Sequence, residues 1–195
     1  MARTRSDSFH DIRTSILDAA ASLFASQGFR NTNIIQIGEA CKASKSRMYH
    51  YFPSKEAMLG EMLLDHVSGL VTIAAEIVSG KGTPAERFRA YLYAHLKYYY
   101  DRHDRHRVLL MSTVDLPDDL REKLREKEHK LATCLEALLR DLAPTRLKQK
   151  QVATAHAFLI YGMLNWTYTW YRPKGKLSLE ALAEEASNLC LNGLG

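Results

Sequence analysis

The chain has 195 residues, 46% of them hydrophobic and 25% charged, with a formal net charge of +5, which suits a folded protein with a sizeable core and excludes a disordered one. Its three cysteines, Cys41, Cys134 and Cys190, are odd in number and far apart, which argues against a disulfide framework. No apolar run approaches the length a bilayer needs, and the basic start MARTRSDS has no apolar stretch behind it. The expectation is therefore a cytoplasmic protein with no membrane association and no secretory leader. The basic charge is uneven: residues 1–55 hold eight Lys/Arg against four Asp/Glu, and the remainder holds 19 against 18. That asymmetry is expected where one end of a chain meets phosphates.

Taken in chain order, the first helix is predicted from about His10 to Gln27, with Ile12, Ile16, Leu17, Ala20, Leu23 and Phe24 on one stripe and Gly28 as its stop. Asn33 is placed to cap a second helix, with Gln36 completing a capping box. Ile34, Ile37 and Cys41 face inward from it. Ser44 caps a short third helix whose inward positions are Met48 and Phe52. Pro53 and Ser54 open a long fourth helix, with Glu56 at its positive end. Its apolar stripe of Met58, Leu59, Met62, Leu63, Val67, Leu70 and Val71 continues to about Val78. After the break GKGTP at 80–84, helices are predicted at about 84–102, 104–114, 118–142, 146–171 and 178–193. No segment alternates as a strand does, so the chain is read as all-α. The charged segment from Arg121 to Lys130 is a solvated helix face.

The third helix carries Lys45, Ser46, Arg47, Tyr49, His50 and Tyr51, polar-tipped and without an acid. Two short helices around a tight turn, the second so decorated, fit a DNA groove. Lys45, Ser46 and Tyr49 are expected to reach base edges. Arg47, His50, Tyr51 and Lys55 are expected to face phosphates, with packing against the first helix as the alternative for Tyr51. Lys55 stands at a helix start, where an external anion would favour a cation. Arg3 and Arg5 are expected either in the adjacent minor groove or in diffuse contact with the duplex.

These residues resemble the TetR family of bacterial transcriptional regulators. The resemblance runs from Ile16-Leu17-Asp18-Ala19-Ala20 through Leu23-Phe24 and Gly28-Phe29 to Ser44 and Tyr49-His50-Tyr51-Phe52-Pro53-Ser54-Lys55. It implies a dimer with a three-helix DNA-binding head, residues 1–55, on a larger helical body for ligand binding and dimerisation, residues 56–195, about nine helices in all. It also implies DNA contacts from Thr32, Asn33 and Ser44 at the two helix starts. Lys42 stands where the family usually has a turn Gly. A left-handed backbone there would cost about 1–2 kcal/mol, so either the turn differs or the strain is accepted. Gly38 stands where Ala is usual inside the second helix, at about 1 kcal/mol in propensity.

Val152 to Tyr171 is apolar nearly all round, as a helix buried on two sides is. One face is expected to meet a second subunit through Ala155, Leu159 and Gly162, joined by Leu182, Ala186 and Leu189 of the last helix, and the family resemblance supports that dimer. The other face is expected to line a pocket between the fourth helix and those at 84–102, 104–114 and 146–171. Its liners are His66, Leu70, Phe88, Leu92, His95, Tyr99, Leu110, Met111, Phe158, Asn165, Trp166 and Thr169, with His66, His95 and Asn165 as polar points. The run from Asn165-Trp166 to Trp170-Tyr171-Arg172-Pro173 with Leu177-Ser178 resembles TetR-type regulators of fatty-acid, steroid or aromatic catabolism. That resemblance implies an acyl-CoA thioester as effector, with Arg102, Arg105 and Arg107 as candidates for its phosphates.

The expected function is a ligand-responsive repressor, not an enzyme. It binds a palindromic double-stranded operator as a homodimer, has no cofactor, and is released by a small apolar or acyl-CoA-type effector. Two alternatives stand beside it. One is a DNA-binding regulator with no small-molecule ligand. The other is an all-α metal-dependent enzyme using Asp101, His103, Asp104 and His106, although the neighbouring arginines would repel a cation. Cys41 is expected to be a buried inert thiol, with a redox role as the alternative.

Overall fold

The computed structural model describes residues 5–194, with side chains from residue 11 to residue 193. Among them are nine α-helices, joined by turns and one short 3-10 segment at Thr113–Asp115, and no strand. The helices are α1 (Arg5–Gln27), α2 (Ile34–Ala40), α3 (Lys45–Tyr51), α4 (Lys55–Val78), α5 (Pro84–Asp101), α6 (His103–Ser112), α7 (Asp118–Leu142), α8 (Lys150–Trp170) and α9 (Leu179–Leu194). The all-α expectation holds, and the element boundaries fall close to those read from periodicity and breakers. One shift is α8, which starts at Lys150 rather than near residue 146. Residues 143–149 instead make a tight turn anchored by Leu147, which is fully buried and donates its N–H to the Ala143 carbonyl at 2.9 Å.

The chain divides into two compact units, residues 1–66 with 104–124, and residues 67–103 with 125–195. In the first, Asn33 forms the expected capping box with Gln36, and the Ser44 hydroxyl accepts the Arg47 N–H. Ile16, Leu17, Ala20, Phe24, Ile37, Met48, Phe52, Met58, Leu59 and Met62 are all buried. Each sits on the inward stripe of its helix, so burial follows the 3.6-residue period. The guanidinium of Arg13 lies 4.5 Å from the Phe52 ring centroid and pairs with Glu61. Residues 104–124 belong to this unit through two ion pairs, Arg105 with Asp18 and Arg30 with Asp115, each at 2.7 Å. Gly60 permits a close approach there: a Cβ on it would lie 2.5 Å from Leu120 Cδ1.

The second unit is built on Leu70, Ala74, Phe88, Tyr91, Leu92, Leu96, Leu135, Leu138, Leu139 and Leu164. Thr83 and Glu86 form a capping box that starts α5, with Pro84 in the first turn. α5 packs chiefly against α9, where Arg89 pairs with Glu184 at 2.6 Å. Tyr171 ends α8 and closes the following loop by donating its hydroxyl to the Leu177 carbonyl at 3.1 Å. α4 is long and apolar enough, by length and composition, to cross a bilayer, a feature not anticipated from the sequence. Half of that stretch is buried inside the protein, and Met58, Leu59, Met62, Leu63, Val67, Leu70 and Ala74 account for its apolar character as core packing.

Candidate functional site

The turn between α2 and α3 fixes the presentation of α3. Lys42 adopts a left-handed backbone with φ 54°, so the strain that a turn glycine would avoid is accepted here. Gly38 belongs to the same turn: its carbonyl accepts the Ala43 N–H at 2.8 Å, and a Cβ on it would meet the Ala43 carbonyl oxygen at 2.8 Å. Glycine at 38 therefore lets the turn close against α2 despite its poor helix propensity. Cys41 is half-buried, with its thiol 3.6 Å from the Gly38 carbonyl and 3.9 Å from the Met48 sulfur.

α3 pivots on Met48, which is fully buried. Around it Lys45, Ser46, Arg47, Tyr49 and His50 are exposed, with Tyr49 at 49%, and Tyr51 is half-buried with its ring edge-on to His50. The face is polar and free of acids, and it carries two permanent cations. Asn33 is exposed, but its side-chain carbonyl is committed to the Ile35 and Gln36 N–H groups at 3.0 Å each. Ile35 is 51% exposed beside that cap. It was missed in the sequence, although its place off the Ile34–Ile37 stripe marks it as outward.

Two expected DNA contacts are corrected. Thr32 is 2% exposed, and its hydroxyl donates to the Gly28 carbonyl at 2.8 Å while accepting from Gln27. The Lys55 ammonium donates to the Phe29 and Thr32 carbonyls, each at 2.8 Å, and sits 4.3 Å from the Phe29 ring centroid. Its counter-charge is therefore internal: carbonyl dipoles of the α1–α2 turn, rather than a phosphate. Arg3 lies outside the described residues, as does the side chain of Arg5.

Sequence comparison matches residues 16–62 to the bacterial regulatory proteins of the tetR family. Residues 81–194, more than half of the chain, match the tetracyclin repressor-like C-terminal domain. The chain belongs to the TetR family. As such it is a DNA-binding transcriptional regulator and not an enzyme. Among solved structures it is similar to a TetR-family transcriptional regulator from Bordetella parapertussis 12822, with 40% identity, TM-score 0.89, and 93% of this chain and 94% of that one covered. It is 27% identical over 191 residues to the HTH-type transcriptional repressor KstR2 of Rhodococcus jostii, covering 93% of this chain and 90% of the relative. AibR, solved in complex with isovaleryl coenzyme A and operator DNA, shares the fold at 23% identity and TM-score 0.80, over 91% of this chain and 97% of that one.

In this TetR-family chain the expected pocket liners do not form one set. His66, Leu110 and Met111 belong to the first unit and the others to the second. His66 is buried with Nε2 3.4 Å from Nδ1 of buried His106. His106 is thus turned inward, away from any grouping with exposed Asp101 and His103, and no cluster of three metal-ligating side chains occurs among the described residues. Leu110 is half-buried, while Met111 is 56% exposed and lines no interior space. Leu70, Phe88, Leu92, His95 and Tyr99 are buried, and Asn165 and Thr169 are half-buried. Phe158 and Trp166, at 62% and 65% exposure, are corrected from pocket to surface.

Those two join Ala155, Leu159, Gly162 and Trp170 on one exposed stripe of α8, with Leu159 at 73% and nothing within 4 Å of where a Gly162 Cβ would be. Leu189 of α9 is 70% exposed beside it, and a groove of about 280 Å³ there is lined by His156, Leu159, Met163, Leu189 and Cys190. Leu182 and Ala186, expected at the same interface, are each only 7% exposed because they pack into their own unit's core. The three arginines expected to meet CoA phosphates are also differently placed. Arg105 is bound to Asp18, and Arg102 lies 4.2 Å from the Tyr98 ring centroid. Arg107 is half-buried.

Proposed function

We propose that this regulator is a homodimeric repressor whose two heads each set α3 into a major groove of a palindromic operator. The observation that carries the reading is the exposed, acid-free face of Lys45, Ser46, Arg47, Tyr49 and His50 around buried Met48. Tyr49, Lys45 and Ser46 meet base edges. Arg47 and His50 meet phosphates, with the Asn33 amide at the start of α2. The head is residues 1–55 and the body 56–195, with the protein working in the cytoplasm where its DNA lies. Dimerisation uses the exposed stripe of α8 and Leu189, an apolar surface larger than a soluble monomer ordinarily leaves uncovered.

The body senses a small apolar or acyl-CoA-type effector that binds the DNA-incompetent state more tightly. Linkage then requires that operator binding weaken the effector by the same factor. Supporting this reading are the KstR2 relative and a 21% identical relative over 181 residues from Bacillus subtilis, described as a fatty acid metabolism regulator protein. The test is fluorescence anisotropy on a labelled operator. Tyr49→Ala is expected to lose operator binding with the dimer intact by analytical ultracentrifugation, and undiminished binding would overturn the assignment.

A further inference from the structure

The second unit holds one buried polar atom that its surroundings do not serve. His95 on α5 is wholly buried, and its Nδ1 lies 2.9 Å from the Tyr91 carbonyl oxygen. A carbonyl only accepts, so Nδ1 carries the proton. Burial also pushes the ring down to a pKa of about 4, so it is neutral at physiological pH and Nε2 presents a bare lone pair. That Nε2 has no hydrogen-bond partner.

The groups around it are already committed. The Tyr91 ring stacks on His95 at 3.9 Å between centroids, and the Tyr99 and Tyr161 rings stand at 6.1 and 6.3 Å. Tyr161 donates its hydroxyl to the Leu131 carbonyl at 3.0 Å, and the Tyr91 hydroxyl lies 2.5 Å from that of Tyr161. α5 comes close to α8 at few positions, in contrast to its long contact with α9. The space between α5 and α8 is bridged by long aromatic side chains rather than by backbone packing. Native interiors rarely leave an acceptor unserved, since desolvation without a partner is costly.

We propose that the space spanned by Tyr91, His95, Tyr99 and Tyr161 is the effector site, and that Nε2 of His95 accepts a hydrogen bond from the effector. The effector therefore brings a neutral donor, a hydroxyl or an amide N–H, on an apolar skeleton. A ligand that leads with a carboxylate or a ketone finds only a lone pair facing its own. This inference rests on the proposed effector-binding body and specifies the chemistry it selects.

The test uses the full-length protein and matched probes: a saturated bicyclic alcohol and the ketone of the same skeleton, then a 3-hydroxyacyl-CoA and its 3-oxo counterpart. Calorimetry on the wild type is expected to show the hydroxyl member of a pair binding at least about tenfold more tightly, because a site built to hydrogen-bond one group rejects the analogue lacking it. His95→Phe is expected to bring the two members within about twofold, and His95→Gln, which retains an acceptor, to restore part of the preference. The nitrogen-15 shift of Nε2 in the wild type reads the same bond without any variant: bare before addition and displaced by the alcohol alone.

Equal binding of alcohol and ketone, a preference that survives in folded His95→Phe, or a protonated Nε2 in the free protein would overturn the proposal. So would a panel in which no probe binds. Thioesters that bind and release operator equally in wild type and His95→Phe would remove His95 and leave the effector class standing. Alcohols that bind where thioesters do not would remove the thioester class alone.

Discussion

Replacing Lys55 with methionine separates a head held together from within from one held by DNA. In the structure the ammonium makes two 2.8 Å bonds, to the Phe29 and Thr32 carbonyls, and faces the Phe29 ring. Hydrogen bonds from a charged donor contribute about 1.5–3 kcal/mol each when buried, and the partial exposure of this side chain reduces that. A loss of about 2–3 kcal/mol is expected, which in a protein of this size lowers Tm by roughly 5–10 °C. The slope of log K against log[salt] on operator DNA is expected to stay unchanged, since no counterion is displaced by Lys55. Arg47→Ala is the control: it is expected to leave Tm alone and to reduce that slope by about 0.9, the signature of one phosphate contact. A Lys55→Met protein with unaltered Tm and a slope reduced by about 0.9 would refute the internal role and return Lys55 to the phosphate backbone.

Lys42→Gly is expected to stabilise the head by about 0.5–1 kcal/mol, the relieved left-handed strain less the entropy of a glycine, read as a rise in Tm. Gly38→Ala is expected to destabilise it by about 1–3 kcal/mol despite better helix propensity, because the new Cβ meets the Ala43 carbonyl; a higher Tm would show that the turn can give. Folding should depend on acidity through His95. With its folded pKa lowered to about 4 and an ordinary value near 6.5 unfolded, the unfolded chain binds the extra proton. The stability is then fully present above about pH 6.5 and is lost as pH falls toward 4, by roughly 3 kcal/mol. Urea titrations of wild type and His95→Gln across that window should diverge, and parallel curves would deny the burial of a neutral ring. Leu159→Arg is expected to yield monomers by analytical ultracentrifugation, with operator affinity falling as paired half-sites are lost.

The helices were legible in the sequence because apolar period, caps and breakers agreed with one another. Asn33 with Gln36, Ser44, and Thr83 with Pro84 and Glu86 each signal a start by a local rule, and local rules need no knowledge of the rest of the fold. The polar face of α3 was legible for the same reason, since Met48 and Phe52 point inward at helical spacing and leave the others out. Lys55 and Thr32 were not. Their partners, the carbonyls of residues 28, 29 and 32, lie in an irregular turn, where no periodicity says which way a carbonyl points. The ion pairs Asp18–Arg105 and Arg30–Asp115 span 87 and 85 residues, a separation at which charge pattern alone cannot choose a partner.

α8 shows where the period itself runs out. Phe158 and Trp166 are as apolar as Ile160 and Leu164, yet the first two are exposed and the second two buried. On a helix apolar all round, hydrophobicity no longer distinguishes the face turned to the protein's own core from a face awaiting a partner, so the sequence put Phe158 and Trp166 in a pocket. What separates them is angle: positions 155, 158, 159, 162, 166 and 170 fall on one stripe, and 153, 157, 160, 164 and 167 on the opposite one. The first stripe contains Gly162, where no side chain keeps a second helix at a distance, and it ends in two tryptophans that are half or more exposed. A cavity would have gained nothing from a glycine at its centre and two indoles in water, whereas a helix–helix seam gains close approach from the one and buried area from the others.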